Sequence, residues 1–180
     1  SAWHNRSKLI SKVYRLFQEL KGQIPEKHLE TYEIFKSPYL ILMHDLELVK
    51  TGMYMDSDDT SIWLYLSWLL TDKFFVDDLK NTTDITYLEI LNQQLEIVTE
   101  LNELEKSDNA NNYDHGWCLK TIIMLKGLIA MQTSKISSFQ DLLTDDITSH
   151  LKTLTLIDPL RKGRYLDQLA GKASILPIEL

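Results

Sequence analysis

Residues 84–106 read DITYLEILNQQLEIVTELNELEK. Leu88, Leu91, Leu95, Val98 and Leu101 recur at intervals of three and four, close to a heptad. That spacing places them on one stripe of an α-helix, not on alternate faces of a strand. Asp84 stands ahead of the run as the predicted N-cap, because a carboxylate there accepts from the unpaired N–H groups of the first turn. The helix is predicted to run to about Lys106, with neither Gly nor Pro to interrupt it.

The same periodicity continues downstream. Ser107 to Asn112 is a polar turn, and a helix from about Tyr113 to Met131 carries Trp117, Thr121, Leu125 and Leu128 on one side. After another polar turn, Ser138 is predicted to start a helix that buries Leu143, Ile147, Leu151 and Leu154. Asp158-Pro159 is a cap followed by Pro at the first turn, and the last helix runs to about Ala170 and stops at Gly171.

Upstream, Thr60 to Leu70 is helical, with Ile62, Trp63, Leu66 and Leu70 apolar. Gly52 and the acidic cluster Asp56, Asp58 and Asp59 are predicted to form the turn before it. Ser37-Pro38 opens a helix whose inner face is Leu42, Leu46 and Val49. The first helix spans Ala2 to Leu20, with Leu9, Val13, Leu16 and Leu20 on one face, and ends at Gly22 and Pro25. Two stretches, Gln23–Lys36 and Phe74–Thr83, interrupt the rhythm as insertions, the first with some helical turns. No strand-like alternation is present, so the predicted class is all-α, built of helices joined by short polar turns.

Composition agrees. Gly is 6 and Pro 4 of 180 residues, too few for a turn-rich β fold, and the 44% hydrophobic share supports a buried core. The formal net charge of -7 disfavours phosphate backbones, and no dense Lys/Arg block offsets it, which argues against nucleic acid as partner. The single cysteine, Cys118, excludes an internal disulfide and fits a reducing compartment. No apolar run is long enough to span a bilayer; the stretch Trp63 to Leu70 is flanked closely by acidic residues. Ser1-Ala2-Trp3-His4 has no basic region followed by an apolar core, so it does not read as a signal peptide, and without an initial Met the chain is expected to be a fragment or processed piece.

Several residue groups have the chemistry of a site, and each has a plainer reading. His115-x-x-Cys118 puts two possible zinc ligands on one helical face, but a site needs three or four and no partner pair has the spacing. Asp56, Asp58 and Asp59 lack the Gly and distal Glu of a calcium loop and suit a helix start. Asp77-Asp78 and Asp145-Asp146 lack the third Asp of a magnesium-diphosphate motif and suit solvated helix ends. Arg161, Lys162 and Arg164 beside Tyr165 form a small basic cluster, read as solvated helix surface ahead of a contact with an acidic partner. Trp3, Trp63 and Trp117 stand near the starts of alternate helices, where one large aromatic per helix pair acts as a packing anchor of a stacked hairpin array. No catalytic, cofactor-binding or metal-binding residue is nominated.

Ser1 to Ser7, SAWHNRS, resembles the Trp-x-x-Arg signature of protein prenyltransferase α-subunits, through Trp3 and Arg6. Residues 61–70, SIWLYLSWLL, look like a later copy, with Leu66 and Ser67 where an Arg often stands. Residues 117–125, WCLKTIIML, and 156–169, LIDPLRKGRYLDQL, are similar to the Rab-type (type II) geranylgeranyltransferase α-subunits in order and spacing. The resemblance implies an α-α hairpin solenoid, with 1–180 a single helical-repeat domain lacking upstream repeats, of the fungal type without a leucine-rich-repeat extension. It implies a cytoplasmic, non-zinc subunit of a heterodimeric enzyme that transfers geranylgeranyl to C-terminal cysteines of Rab GTPases. Zinc and geranylgeranyl diphosphate would sit in a partner β-subunit, and a Rab escort protein would dock on late α-subunit helices. Two other readings stand beside it. The α-subunit shared by farnesyltransferase and type I geranylgeranyltransferase is disfavoured by the Asp158–Leu169 segment. A non-enzymatic helical-repeat scaffold is disfavoured by the irregular period.

Overall fold

The computed structural model describes residues 1–82 and 85–178. The predicted cap Asp84 therefore lies outside the described residues. Among the described residues the regular structure is entirely helical, in nine α-helices with short 3-10 turns, as the apolar periodicity predicts. The chain divides into two compact units, Ser1–Tyr87 and Leu88–Leu180.

In the first unit, α1 spans Ala2–Leu20, and a short helix α2 (Glu26–Leu29) with a 3-10 segment over Glu30–Lys36 fills the polar interval. Ser37 caps α3 (Pro38–Met55): its hydroxyl accepts from Leu40 N, and Pro38 occupies the first turn. Asp59 caps α4 (Thr60–Thr71) by accepting from Ser61 N. α3 and α4 pack as a hairpin, α1 lies against α4, and α5 (Lys73–Leu79) lies against both α3 and α4. The core is Ile10, Phe17, Leu42, Val49, Met53, Trp63, Leu66, Leu69 and Phe75.

Three expectations are corrected here. Gly52 lies inside α3, not in the turn: a Cβ there would come within 3.1 Å of Ile62 Cδ1, so the glycine serves the close approach of α3 and α4. Residues 73–79, read as an insertion, form α5 and bury Phe75 and Leu79. On α1 the buried residues are Ile10 and Phe17, while Leu9, Val13, Leu16 and Leu20 are all exposed.

In the second unit, α6 (Tyr87–Asp108), α7 (Gly116–Thr133), α8 (Asp145–Ile157) and α9 (Lys162–Leu169) follow in order, α8 packing on both α7 and α9. Of the predicted α6 stripe, Leu91, Val98 and Leu101 are buried, with Leu88 and Leu95 half-buried. α7 begins at Gly116, three residues after the expected Tyr113, because Asp114 and His115 are held outside the helix by Asn102 of α6. Asn102 Nδ2 donates to Asp114 Oδ1 at 2.8 Å, and its Oδ1 accepts from His115 N at 2.9 Å. Ser138 starts a 3-10 turn closed by a capping box with Asp141, and Thr144 caps α8. The intervening turn shifts the register by one, so Leu142 is buried where Leu143 was expected. Gly171 ends the last helix with φ +71, a left-handed conformation that favours glycine.

Candidate functional site

Arg6, three residues after Trp3 on α1, reaches the carboxylate of Asp45 on α3 with both arms of its fork. Nε donates to Oδ2 at 2.7 Å and Nη2 to Oδ1 at 2.5 Å. The Tyr65 hydroxyl of α4 donates to the same Oδ2, and His44 Nδ1 lies 2.9 Å from Oδ1. Asp45 is wholly buried, yet each of its oxygens has two partners. Burial alone would raise its pKa, but the bonds from Arg6, Tyr65 and His44 outweigh burial and hold the carboxyl below its ordinary value. Burial, then the bond to Asp45, pushes the Tyr65 hydroxyl well above the usual phenol range. Trp3 covers Tyr65 with ring centroids 5.0 Å apart, and Tyr65 meets Trp68 at 5.4 Å.

The second unit repeats this pattern with different residues. Trp117 is followed three residues on by Lys120, whose Nζ lies 4.4 Å from the Trp117 ring centroid and 3.3 Å from Asp158 Oδ2. The Tyr165 hydroxyl donates to Asp158 Oδ2 at 2.5 Å, and Arg161 Nη1 donates at 3.2 and 3.3 Å to the two oxygens. Burial of Asp158 is again outweighed, by Tyr165, Lys120 and Arg161, and the carboxyl is held below its ordinary value. Burial lowers the Lys120 pKa, opposed by Asp158. A tryptophan, a cation three residues later, an aspartate and a tyrosine thus recur, with cation and aspartate 39 positions apart in the first unit and 38 in the second. At Trp63 the third position is Leu66, fully buried, so apolar packing replaces the ion pair.

Both aspartates are enclosed by donors, so neither is set up as a general base; the clusters fix how helices meet. Sequence reasoning saw Trp3 and Arg6 but missed Asp45, Tyr65 and the parallel role of Lys120. The signal available was the cation-to-aspartate interval shared by two Trp-x-x-cation copies.

The other candidate residues are placed as follows. His115 caps α7, its Nδ1 accepting from Cys118 N at 3.4 Å. Cys118 is fully buried, and burial pushes its thiol up to about 12. Asp56 Oδ1 accepts from Asp58 N, and Asp59 holds the start of α4. Asp78 accepts from Tyr39 N at 3.0 Å, and Asp146 pairs with Lys126 and with His150 Nε2 at 3.3 Å. Among the described residues no group of three or more His, Cys, Asp or Glu is placed to hold a metal ion. None of the described helices is long and apolar enough to cross a membrane. Of the three recurring tryptophans, read as packing anchors, Trp63 is buried while Trp3 and Trp117 are half-buried.

No family model matches the chain, and no solved structure matches it. Curated proteins do. Over 97% of its length the chain is 46% identical to 46% of the geranylgeranyl transferase type-2 subunit alpha of Candida albicans. Over 94% of its length it is 28% identical to 43% of the protein of the same name in Saccharomyces cerevisiae. It is also 29% identical, over 74% of its length, to 36% of the Dictyostelium discoideum protein of that name. The chain thus spans less than half the length of these relatives, and its greater likeness to the Candida protein fits the fungal-type expectation. By the Trp-x-x-cation copies and by this identity across nearly its whole length, the chain is similar to the geranylgeranyl transferase type-2 α-subunits.

Proposed function

We propose that this chain is part of the α-subunit of a Rab geranylgeranyltransferase, the non-zinc half of a cytoplasmic heterodimer that transfers geranylgeranyl from its diphosphate to C-terminal cysteines of Rab GTPases. The observation that carries the proposal is the 46% identity to a geranylgeranyl transferase type-2 subunit alpha over 97% of the chain. In this reading a β-subunit holds the zinc, which activates the acceptor thiol, and also holds the lipid diphosphate. The work of this chain is positional. Asp45 and Asp158 each draw a tyrosine and cations from separate helices onto one carboxylate, so the helix surfaces they join present fixed faces to partners. An escort protein delivering the Rab would use such a face, raising the local concentration of the Rab tail so that no tail sequence need be read.

The test is labelled geranylgeranyl transfer by the complete polypeptide paired with its β-subunit, to a Rab and to a peptide ending in a CaaX box, each with and without escort. Transfer to the Rab that depends on escort is expected. Efficient escort-independent transfer to the peptide, with no activity on the Rab, would overturn the proposal in favour of the shared CaaX-type subunit.

A further inference from the structure

Asp45 is wholly buried, yet two of the side chains that bind it reach the surface. Its Oδ1 accepts from Arg6 Nη2 at 2.5 Å and faces His44 Nδ1 at 2.9 Å, so a guanidinium and an imidazole leave one buried oxygen side by side. Arg6 is 33% exposed and His44 is 41% exposed. Arg6 and Tyr65 already supply three hydrogen bonds to this carboxylate. Covering Asp45 therefore does not account for His44, whose ring stays open to solvent. What the contact does is fix that ring. An ionised carboxylate only accepts, so Nδ1 carries a proton, and Nε2 on the other side of the ring is the nitrogen left over.

The arginine is left in the same condition. Its Nε and Nη2 are spent on Asp45, while Nη1 donates to no described residue. The charges around the pair favour an anion. Asp45 neutralises Arg6, and Tyr65, on the far oxygen, brings no charge. From Ala2 to Gln18, α1 has no acidic residue and four cations, Arg6, Lys8, Lys12 and Arg15, in a chain whose net charge is -7. On the next turn of α3 stands Glu47, which forms no ion pair with His44; among the described residues no charged side chain other than Asp45 pairs with Arg6 or His44. A second proton on His44 would thus leave a positive charge without a partner, beside a guanidinium with an unused amino group.

We propose that Arg6 and His44 form a binding site for a small oxyanion of the carboxylate or phosphate class, held by Arg6 Nη1 and by His44 Nε2 once the imidazole takes up its second proton. This goes beyond the reading of the chain as a transferase subunit and does not depend on it.

The test follows the imidazole resonances of the complete polypeptide, paired with its β-subunit and isotope-labelled at the histidine Cε1 carbons; the His44 signal is the one lost in His44→Asn. Sulfate stands for the phosphate class, because its charge is constant around neutrality, and acetate for carboxylates. Chloride at matched ionic strength is the control. Sulfate or acetate should move the His44 signal to saturation while chloride leaves it in place and His28 and His150 do not follow. The anion that saturates at the lower concentration identifies the class. Binding should weaken about tenfold or more as the pH is raised through neutrality and the second proton is lost. Arg6→Lys keeps a cation against Asp45 but has no further amino group, and should raise the saturating concentration about tenfold or more. If Arg6→Lys lowers the thermal melt, His44→Asn gives the same reading: its amide can still donate to Asp45 but places nothing where Nε2 stood, and the rise in melting temperature that the anion gives the parent should vanish. A His44 signal indifferent to both anions, one that follows chloride equally, a shift shared by the other histidines, binding independent of pH, or affinity that survives both substitutions would each overturn the proposal.

Discussion

At the scale of single residues, the chain concentrates its electrostatics on two aspartates. Asp45 is the more demanding, being wholly buried beside an arginine that is one-third exposed. Its carboxyl is held below its ordinary value in the folded chain. A group depressed in this way stabilises the fold above its unfolded value of about 3.9, and that stability is lost as the pH falls through the folded value. Arg6→Met should therefore cost about 1–3 kcal/mol near neutrality, discounted from the cost of a fully buried pair because Arg6 is partly solvated. The gap between variant and parent should narrow as the pH drops below the ordinary carboxylate range. Urea titrations at a series of pH values check both; a gap that stays constant into acid would remove Asp45 from the explanation.

The tryptophans separate at the same scale. Trp63 is 2% exposed and donates from Nε1 to the Ser57 carbonyl at 2.7 Å. Trp63→Ala should cost about 3–5 kcal/mol, the range for emptying a large aromatic site. Trp117 is half-buried under Lys120, so Trp117→Ala should cost about 1–2 kcal/mol, an ordinary partial loss of contact. Periodicity could not make this distinction. α7 is apolar around most of its circumference, with Cys118, Leu119, Ile122 and Ile123 buried as well as Thr121 and Leu125, so no stripe shows which side is inside.

At the scale of elements, much was legible because the chain marks its own boundaries. Ser37-Pro38 and Asp158-Pro159 start helical segments, Gly171 ends one, and Ala2–Leu20 has the expected limits. What escaped was set by contacts distant in sequence or by elements too short to show a period. α5 has seven residues, about two turns, and gains its burial from Phe75 and Leu79 against neighbours the sequence cannot name. The start of α7 depends on Asn102, more than a turn's distance away in α6. Asn102→Leu should test that tie. It removes an acceptor from His115 N and a donor from Asp114 at a site 4% exposed, a loss of about 1–3 kcal/mol. Amide exchange should speed first at the beginning of α7, before the rest of the second unit; a uniform change would show that the tie does not govern that helix end.

On the scale of the whole molecule, each unit is closed by an aspartate that serves several helices at once. The sequence conveyed the helices and the likeness; it did not convey the role of Asp45, because its partners Arg6 and Tyr65 lie 39 and 20 positions away along the chain. Cys118 has a practical consequence of its own. It is the chain's single thiol, sealed in the second unit and kept protonated by burial. An alkylating reagent can reach it only while that unit is open, so its modification rate is a clock for opening. Against a free thiol at the same pH, labelling should be slower by about a thousandfold or more, the factor expected of a domain with ordinary stability. Mass spectrometry of timed samples would read it without any added probe. Ligands or partners that hold the second unit shut should slow the clock further, while a rate matching the free thiol would mean that the pocket around Cys118 stands open.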